Sequence, residues 1–158
     1  FHLPLRRESF DIVYSIGVLH HTPSTQDAFR EVSTFLKPGG FMAIYVYCIT
    51  SGMGYSDHLR KITTRLPKKL LYYLSILAVP IYYFYKIPVV GTMLGAFFPI
   101  SMHPHWRWRW LDTFDWYSPT YQWKHTYPEV FHWFKEAGFV DIDLPNTRHW
   151  ICITGRKG

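Results

Sequence analysis

Two apolar runs on either side of one helical segment constrain the fold of this chain more than any other feature. The first run covers residues 11–15, and the second, FMAIYVY at residues 41–47, contains no polar alternation. Strands without alternation are usually buried on both faces of a parallel sheet. We therefore expect two enclosed parallel strands, joined by the segment between them.

The joining segment has the start and stop signals of a helix. Ser24 can cap it, with Asp27 three residues later as the reciprocal partner. The sequence Lys-Pro-Gly-Gly at residues 37–40 cannot continue a helix, so we expect the helix to end near Leu36. One helical face is apolar and comprises Ala28, Phe29, Val32, Phe35 and Leu36. The result is a β-α-β unit whose crossover should be right-handed.

The order of these motifs resembles a known family. A strand F-D-x-V, the loop I-G-V-L-H-H and a helix closed by L-K-P-G-G resemble the second half of a class I S-adenosylmethionine-dependent methyltransferase of type 11 or 12. The resemblance is strongest over residues 3–47 and looser over residues 126–157. It implies an α/β fold, namely a partial Rossmann-like sheet holding strands 4 to 7 of the family with the last hairpin antiparallel. It also implies S-adenosylmethionine as the cofactor.

One departure from the family pattern concerns its glycine-rich turn. That turn follows the family's first strand and brings backbone close to the cofactor. Here the clustered glycines are Gly39 with Gly40, after a helix, and Gly52 with Gly54, after the second apolar run. We therefore expect this chain to be the C-terminal portion of a longer protein, unable by itself to hold the adenosine end of the cofactor.

The loop after the first strand carries the candidate cofactor contacts. Open α/β sheets place ligands at the carboxyl ends of their strands, and a glycine at residue 17 allows close backbone approach. The resemblance implies that Ser15, Ile16, Gly17 and His20 contact the cofactor. His20 and His21 are also candidate bases for an acceptor that must lose a proton. The alternative is that these imidazoles cap the next helix or bond to backbone.

A second group of candidates precedes the last helix. The pattern D-W-Y-S-P-x-Y-Q followed by K-H-T-Y-x-E-V resembles one found in some bacterial members of the family. The last helix should begin at the same sheet edge as the cofactor, so Tyr117, Tyr121, His125 and Tyr127 are expected to approach the acceptor. His125 is then a third candidate base, although a capping or packing role fits the same position.

The last helix and the terminal hairpin have clear local signals. Thr126 and Glu129 form a capping box, and Gly138 ends the helix. Residues 139–144 alternate, with Val140, Ile142 and Leu144 opposing Asp141 and Asp143, which predicts a half-exposed strand near an edge. Residues 149–154 return after a turn at Pro145 and Asn146.

The middle of the chain is unusually apolar. Residues 70–85 and 87–102 contain no charge and are separated by Lys86. A membrane-spanning helix needs ~20 apolar residues, and Pro80 and Pro88 interrupt this stretch. A helical lid that packs on a greasy substrate is favoured, ahead of helices lying in a membrane interface and of a true span. The expected organisation is a Rossmann-like core half at residues 1–50, an aromatic-rich helical lid at 51–122 and core completion at 123–158.

The net charge and the potential metal-ligating residues limit the partners and metal sites that we expect. A net charge of +6 suits an anionic membrane surface, a nucleic acid or an acidic substrate. The alternation Trp-Arg-Trp-Arg-Trp at residues 106–110 could stack on bases. No nucleic-acid module accompanies it, so a packed aromatic cluster is favoured and nucleic acid is not the expected partner. Cys48 and Cys152 lack zinc spacing, and His103 with His105 lack further ligands, so we expect no metal site.

The leading hypothesis is methyl transfer from S-adenosylmethionine to a small or lipid-like acceptor, with this chain an incomplete and inactive piece that supplies the acceptor side. The expected location is the cytoplasm, with or without contact to a membrane. The alternative is a non-catalytic, membrane-associated accessory domain on a Rossmann-like scaffold. A nicotinamide dehydrogenase fragment is a third reading, disfavoured by the L-K-P-G-G placement and the terminal hairpin.

Overall fold

The computed structural model describes residues 3–49, 54–145 and 150–158. The strands are β1 (Phe10–Ile16), β2 (Leu36–Tyr47), β3 (Phe139–Asp143) and β4 (Trp150–Lys157). The helices are α1 (Thr25–Ser33), α2 (Gly54–Thr63), α3 (Lys68–Leu74), α4 (Ala78–Tyr85), α5 (Pro88–Phe97), α6 (Trp106–Tyr117) and α7 (Tyr127–Glu136). Short 3-10 turns occupy Leu19–His21 and Ser75–Leu77. The chain divides into a sheet unit (Phe1–Thr50 with Tyr121–Gly158) and a helical unit (Ser51–Thr120).

The sheet unit contains a four-stranded sheet of order β1-β2-β4-β3. β1 and β2 are parallel, with Ser15 opposite Ile44. β2 and β4 are antiparallel, with Ile44 opposite Ile153, and β3 pairs antiparallel with β4. The predicted α/β class, the parallel pair and the terminal antiparallel hairpin are confirmed.

The prediction that both parallel strands are enclosed is wrong for β1. Ile12, Tyr14 and Ile16 are each more than 60% exposed. Within the described residues β1 pairs only with β2, so it is an edge strand with an apolar surface. β2 instead alternates, with Met42, Ile44 and Val46 fully buried and the residues between them more accessible. An apolar run therefore indicates that a strand is suited to burial, but the strand is buried only where helices or further strands cover it.

The segment Lys37-Pro-Gly-Gly40 forms a bulge at the start of β2, and not the predicted turn after the helix. α1 already ends at Ser33. Phe10 lies opposite Leu36 and Ile12 opposite Phe41, so residues 37–40 have no place in the ladder. Gly39 adopts φ +75°, which favours glycine.

Aromatic rings join α1, α7 and the hairpin in the core of the sheet unit. The ring of Phe29 on α1 lies 4.9 Å from that of Phe134 on α7, and Phe134 lies 4.9 Å from Phe139. All three side chains are buried. Burial of a phenylalanine side chain contributes ~1.5–3 kcal/mol, so this cluster fixes both helices on the same sheet face.

Both predicted helix caps are present. The N–H of Asp27 donates to Ser24 Oγ at 3.2 Å, and Thr126 and Glu129 form a reciprocal capping box at the start of α7. Such caps contribute about 1 kcal/mol each. They set where α1 and α7 begin, and both starting points border the candidate site.

The terminal hairpin departs from simple alternation. A bulge lies between Val140 and Asp143, and Asp141 adopts φ +48°. β3 lies at the edge of the sheet and Val140 is 47% exposed, in keeping with the predicted half-exposed strand near an edge. The predicted turn residue Asn146 lies outside the described residues.

The helical unit is built from the apolar middle of the chain. Pro88 begins α5 as its first residue, where a missing N–H costs nothing. Pro80 lies in the first turn of α4. The prolines thus divide the region into short helices, and within the described residues none is long and apolar enough to cross a membrane.

Arg109 of α6 is buried and holds the helical unit together. Its guanidinium donates to the carbonyl oxygens of Val79, His103 and Pro104 at 3.1, 3.1 and 2.9 Å. The same group lies 3.4 Å from the ring centroid of Tyr82. An arginine can satisfy several carbonyls at once because its five donors form a rigid fork. The Trp-Arg-Trp-Arg-Trp stretch therefore has a packing role at Arg109.

Candidate functional site

Gly17 marks the carboxyl end of β1. Its φ is +71°, a conformation that other residues rarely adopt. Its N–H donates to the carbonyl oxygen of Tyr45 at 3.0 Å, which ties the end of β1 to β2. A Cβ at this position would meet no described atom within 4 Å. The backbone here is fixed in shape yet open on its outer side, as close approach by a ligand requires.

A cavity of about 480 Å³ borders β1 and α1. Ser15 and Ile16, two of the predicted cofactor contacts, lie in its wall together with Glu31 and Val32. The other two, Gly17 and His20, lie outside that wall. The four predicted cofactor residues are close together in the chain but lie in different environments. Ser15 and Ile16 line the cavity, Gly17 has an open position outside the cavity wall, and His20 is buried.

The chain returns from the helical unit to the sheet unit through residues 121–125, which we call the return segment. Its backbone and side chains bond to the turn that follows β1 and to the end of β2. Trp123 N donates to His20 O at 2.9 Å, and Trp123 Nε1 donates to Thr22 O at 2.9 Å. His125 N donates to Tyr47 O at 2.9 Å, and His125 O accepts from Ile49 N. The return segment therefore pairs beside the carboxyl edge of the two parallel strands.

His20 is completely buried beneath this edge. Its ring stacks on Tyr47 with centroids 3.9 Å apart. Within the described residues neither ring nitrogen makes a hydrogen bond. Burial, followed by the nearby His21 and His125, lowers the pKa of His20 to about 3. The imidazole is thus neutral at physiological pH and binds a proton only weakly.

His21 differs from its neighbour in having one fixed hydrogen bond. Its Nδ1 lies 2.8 Å from Tyr121 O of the return segment. Because a carbonyl oxygen can only accept, Nδ1 carries the proton in the neutral ring. The lone pair is then on Nε2, which makes no hydrogen bond within the described residues. The ring of His21 is only half-buried.

His125 has partners on both ring nitrogens. Nδ1 lies 2.9 Å from Glu129 Oε1, and Nε2 lies 2.9 Å from Thr25 Oγ1. The carboxylate accepts from Nδ1, so Nε2 accepts the hydroxyl proton. Hydrolytic triads also link a carboxylate, an imidazole and a hydroxyl in this order. Here, however, the Thr25 side chain is buried and does not line the cavity beside β1 and α1. The network joins the starts of α1 and α7, and an acceptor would have to displace Thr25 to reach this imidazole.

The three predicted tyrosine contacts lie in different environments. Tyr117 belongs to the helical unit, where its buried hydroxyl donates to Pro99 O at 2.7 Å. Burial raises the pKa of Tyr117. Tyr127 donates to Trp150 O at 3.0 Å. Tyr121 is 40% exposed, so of the three it is the most accessible to an acceptor.

Sequence reasoning missed Tyr47, Trp123 and Thr25. Tyr47 and Trp123 cover and anchor the turn at His20, about 27 and 100 residues away in the chain. No local pattern indicates pairing at such separations. Thr25 follows the recognised cap at Ser24, so its proximity to a helix start was visible, but its contact with His125 was not.

Comparisons with known proteins find methyltransferases. A family model described as "Methyltransferase domain" matches residues 1–44. A tRNA U34 carboxymethyltransferase from Desulfotalea psychrophila is 26% identical over 111 residues, which are 70% of this chain and 34% of that protein. A sterol 24-C-methyltransferase from Gibberella zeae is 38% identical over 48 residues, which are 30% of this chain and 13% of that protein. The chain thus spans about a third or less of the length of these relatives.

The structural comparison covers nearly the whole chain. A SAM-dependent methyltransferase from Thermotoga maritima superimposes with a TM-score of 0.51 over 99% of this chain and 60% of that one, at 14% identity. The fold is therefore that of class I S-adenosylmethionine-dependent methyltransferases. The matching family model and fold imply S-adenosylmethionine as the cofactor.

Stability below neutral pH should depend on His20. The unfolded imidazole has a pKa near 6.5 and the folded one about 3, so between these values the unfolded chain binds more protons. Stability should therefore fall as pH falls from about 7 towards 3, by at most ~1.4 kcal/mol per pH unit from this group. His20→Phe, which keeps the ring stack on Tyr47, should flatten this dependence in urea unfolding. The exposed His132→Phe is the control, and equal slopes for the two variants would contradict the assignment.

Proposed function

We propose that the protein containing this chain transfers a methyl group from S-adenosylmethionine to a small or lipid-like acceptor. The observation that carries the proposal is the turn from Gly17 to His21 at the carboxyl edge of β1. It combines an open backbone position with a half-buried imidazole whose tautomer is fixed. Open α/β sheets bind their ligands at this edge. The methyltransferase family match covers the same residues.

We further propose that the chain is incomplete as a catalyst and supplies the acceptor side and part of the methionine side of the site. The exposed apolar side chains of Ile12, Tyr14 and Ile16 support this, because a lone edge strand of this composition needs a covering layer. The loop after β1 holds Gly17 as a single glycine in place of the family's glycine-rich turn, which also supports it. The adenosine contacts would then come from residues preceding β1.

S-adenosylmethionine supplies an electrophilic methyl group on a sulfonium when it is bound. The role of this chain's residues is to orient the acceptor and to take a proton where the acceptor must lose one. His21 suits that task, since Nε2 has a lone pair and its ring is held by Tyr121 O. Bound S-adenosylmethionine would supply the methyl group and leave as S-adenosylhomocysteine, because its bond from sulfur to the methyl carbon breaks as the bond to the acceptor forms. His21 Nε2 would take the proton that the acceptor loses.

The two other candidate bases fit different roles. His20 binds a proton too weakly at neutral pH, because burial lowers its pKa to about 3. We propose that it packs behind the donor site as a neutral ring. His125 is held between Glu129 and Thr25, so we assign it to positioning the starts of α7 and α1. Tyr121 is then the proposed acceptor contact, because it is exposed and its backbone carbonyl oxygen holds the His21 ring.

A second candidate function is membrane contact by the helical unit, either alongside catalysis or as a non-catalytic accessory domain. The unit contains eight of the basic residues and three of the acidic ones, so it carries +5 of the net charge of +6. It also exposes large apolar side chains, including Tyr83, Phe84, Val89 and Met93. Cationic and apolar side chains together favour an anionic lipid surface.

RNA is a competing acceptor class, because several relatives act on tRNA according to their names. Trp106 and Trp108 are exposed and could stack on bases. We favour the lipid-like or small acceptor because the helical unit also exposes many large aliphatic side chains, among them Ile62, Leu77 and Val89. A screen for the methyl acceptor should therefore include extracted RNA as well as a lipid extract.

Cofactor binding tests the proposal. The full-length protein that contains this chain should bind S-adenosylhomocysteine in calorimetric titration. The 158-residue chain alone should bind roughly a hundredfold more weakly, equivalent to about 2.8 kcal/mol, because it lacks the adenosine contacts. No binding by the longer protein would refute methyl transfer. Equal binding by both would refute incompleteness.

The base assignment predicts a specific loss in the longer protein. His21→Asn keeps an N–H at the position of Nδ1, and hence the bond to Tyr121 O, but removes the free Nε2. Transfer of labelled methyl groups to an oxygen or nitrogen acceptor from the screen should fall about a hundredfold or more, with S-adenosylhomocysteine binding unchanged. His132→Asn, an exposed histidine on α7, is the matched control. Activity within twofold of the parent would exclude His21 as the base.

Membrane contact predicts sedimentation with anionic vesicles at low salt. Replacing Val89 and Met93 together by Asp should abolish it, because both are exposed one turn apart on α5. Replacing Val140 and Leu144 of the sheet unit by Asp makes the same chemical change elsewhere and should leave sedimentation intact. Equal effects from both pairs, or no sedimentation of the parent chain, would reject the lipid surface.

A further inference from the structure

The helical unit contains a cavity that the proposed catalytic residues do not use. Its volume is about 370 Å³. It is lined by α2, α3, α4, α5 and α6, with aliphatic side chains such as Leu59, Leu71 and Ile81 forming most of the wall. All its lining residues belong to the helical unit.

The hydroxyl groups in the cavity wall have no proton left to offer a ligand. Thr63 donates to Tyr117 O at 3.1 Å, Ser75 to Leu71 O at 2.8 Å and Thr113 to Arg109 O at 2.7 Å. The two tyrosines behave in the same way: Tyr117 donates to Pro99 O and Tyr85 to Phe98 O. A ligand inside the cavity would therefore meet hydrocarbon surface and occupied hydroxyls. Such sites exclude polar ligands, since burying an unpaired polar group costs free energy.

The cavity has a buried floor and an exposed mouth. Leu71, Ala78 and Thr113 are less than 5% exposed, whereas Leu77 and Phe98 are more than half exposed. A ligand can thus insert one end and leave the other in water. An apolar cavity of roughly 150 Å³ accommodates benzene with its six carbons, so by scaling this one has room for about fifteen carbons.

The charge of the unit favours an anionic group at the outer end. Two basic residues adjoin lining residues in the chain, Arg65 before Leu66 and Lys86 after Tyr85. Lys68 and Lys69 begin α3, which contributes Leu71 and Leu74 to the wall. The unit as a whole carries a net +5. An anion at the mouth would therefore lie in a positive field.

We propose that this cavity binds the hydrocarbon chain of a single-chain anionic amphiphile, one molecule per protein chain. The assignment of that chain to the tail of the methyl acceptor rests on the proposed function. The binding itself does not, because it requires no S-adenosylmethionine and involves none of the residues around His21. A chain that binds amphiphile without methylating it would overturn only the acceptor assignment.

The first test uses the 158-residue chain and a series of fatty acid anions, the even-numbered chains from octanoate to octadecanoate, as monomers below their micelle concentrations. Calorimetric titration should show saturable binding at one site. Affinity should rise about fourfold for each added methylene, the equivalent of about 0.8 kcal/mol. The rise should stop within the series once the chain fills the cavity, at about fifteen carbons. Decanol should bind more weakly than decanoate because it lacks the charge.

Variants locate the site. Ala78→Phe fills the floor and Leu74→Trp obstructs the mouth, where Leu74 is already 43% exposed and tolerates a larger side chain. Each should weaken decanoate binding at least about tenfold, the equivalent of about 1.4 kcal/mol. Ile62→Phe adds bulk at a position of the same unit that is 63% exposed and outside the cavity wall, and should leave binding unchanged. Circular dichroism checks that each variant is folded. If Ala78→Phe does not fold, the affinity of Leu74→Trp for decanoate tests the site.

Several results would overturn the proposal. The absence of saturable binding would do so, and so would more than one amphiphile per chain. An affinity that keeps rising with chain length through octadecanoate would also do so, because partitioning onto an open surface gives that result. Equal loss of binding in Ile62→Phe and in the cavity variants would show that the cavity is not the site. Binding to anionic vesicles without binding to monomeric decanoate would assign the helical unit to a bilayer surface and would also overturn it.

Discussion

The hydrogen bonds between the return segment and the turn after β1 are the constraint on which the site depends. Residues 121–125 run beside the carboxyl edge of the parallel strands, with Trp123 N bonded to His20 O and His125 N to Tyr47 O. This pairing buries His20, and the carbonyl of Tyr121 orients His21. It also places His125 between α1 and α7. One short segment therefore gives three histidines three different chemical environments.

Local signals allowed much of the sheet unit to be predicted, whereas burial did not follow from them. The caps at Ser24 and Thr126 depend on residues three positions apart, so sequence spacing reveals them. The exposure of Tyr14 depends on which neighbours β1 has, and the bulge at Gly39 on the register with β1. These are properties of tertiary pairing. The predicted candidate bases were chemically sensible, but only the partners of each ring distinguish His21 from His20 and His125.

The two units suit different kinds of recognition. The sheet unit presents polar groups and a fixed imidazole at a strand edge, where small changes in geometry control reactivity. The helical unit has an apolar cavity with its hydroxyls already bonded to carbonyls, and most of the chain's net charge. Its short helices depend on Arg109 and Tyr117, whose side chains bond to backbone carbonyls. The prolines that make a spanning helix unfavourable thus produce a compact helical unit with an internal cavity.

The most direct test of this site is the tautomer of the neutral His21 ring, read from the ¹⁵N chemical shifts of its two imidazole nitrogens. The hydrogen bond to Tyr121 O predicts a protonated Nδ1 and a bare Nε2 available to accept a proton. A ring that carries its proton on Nε2 and leaves Nδ1 bare would contradict the role of the return segment in orienting a base, and with it the proposed acceptor side of the methyl-transfer site.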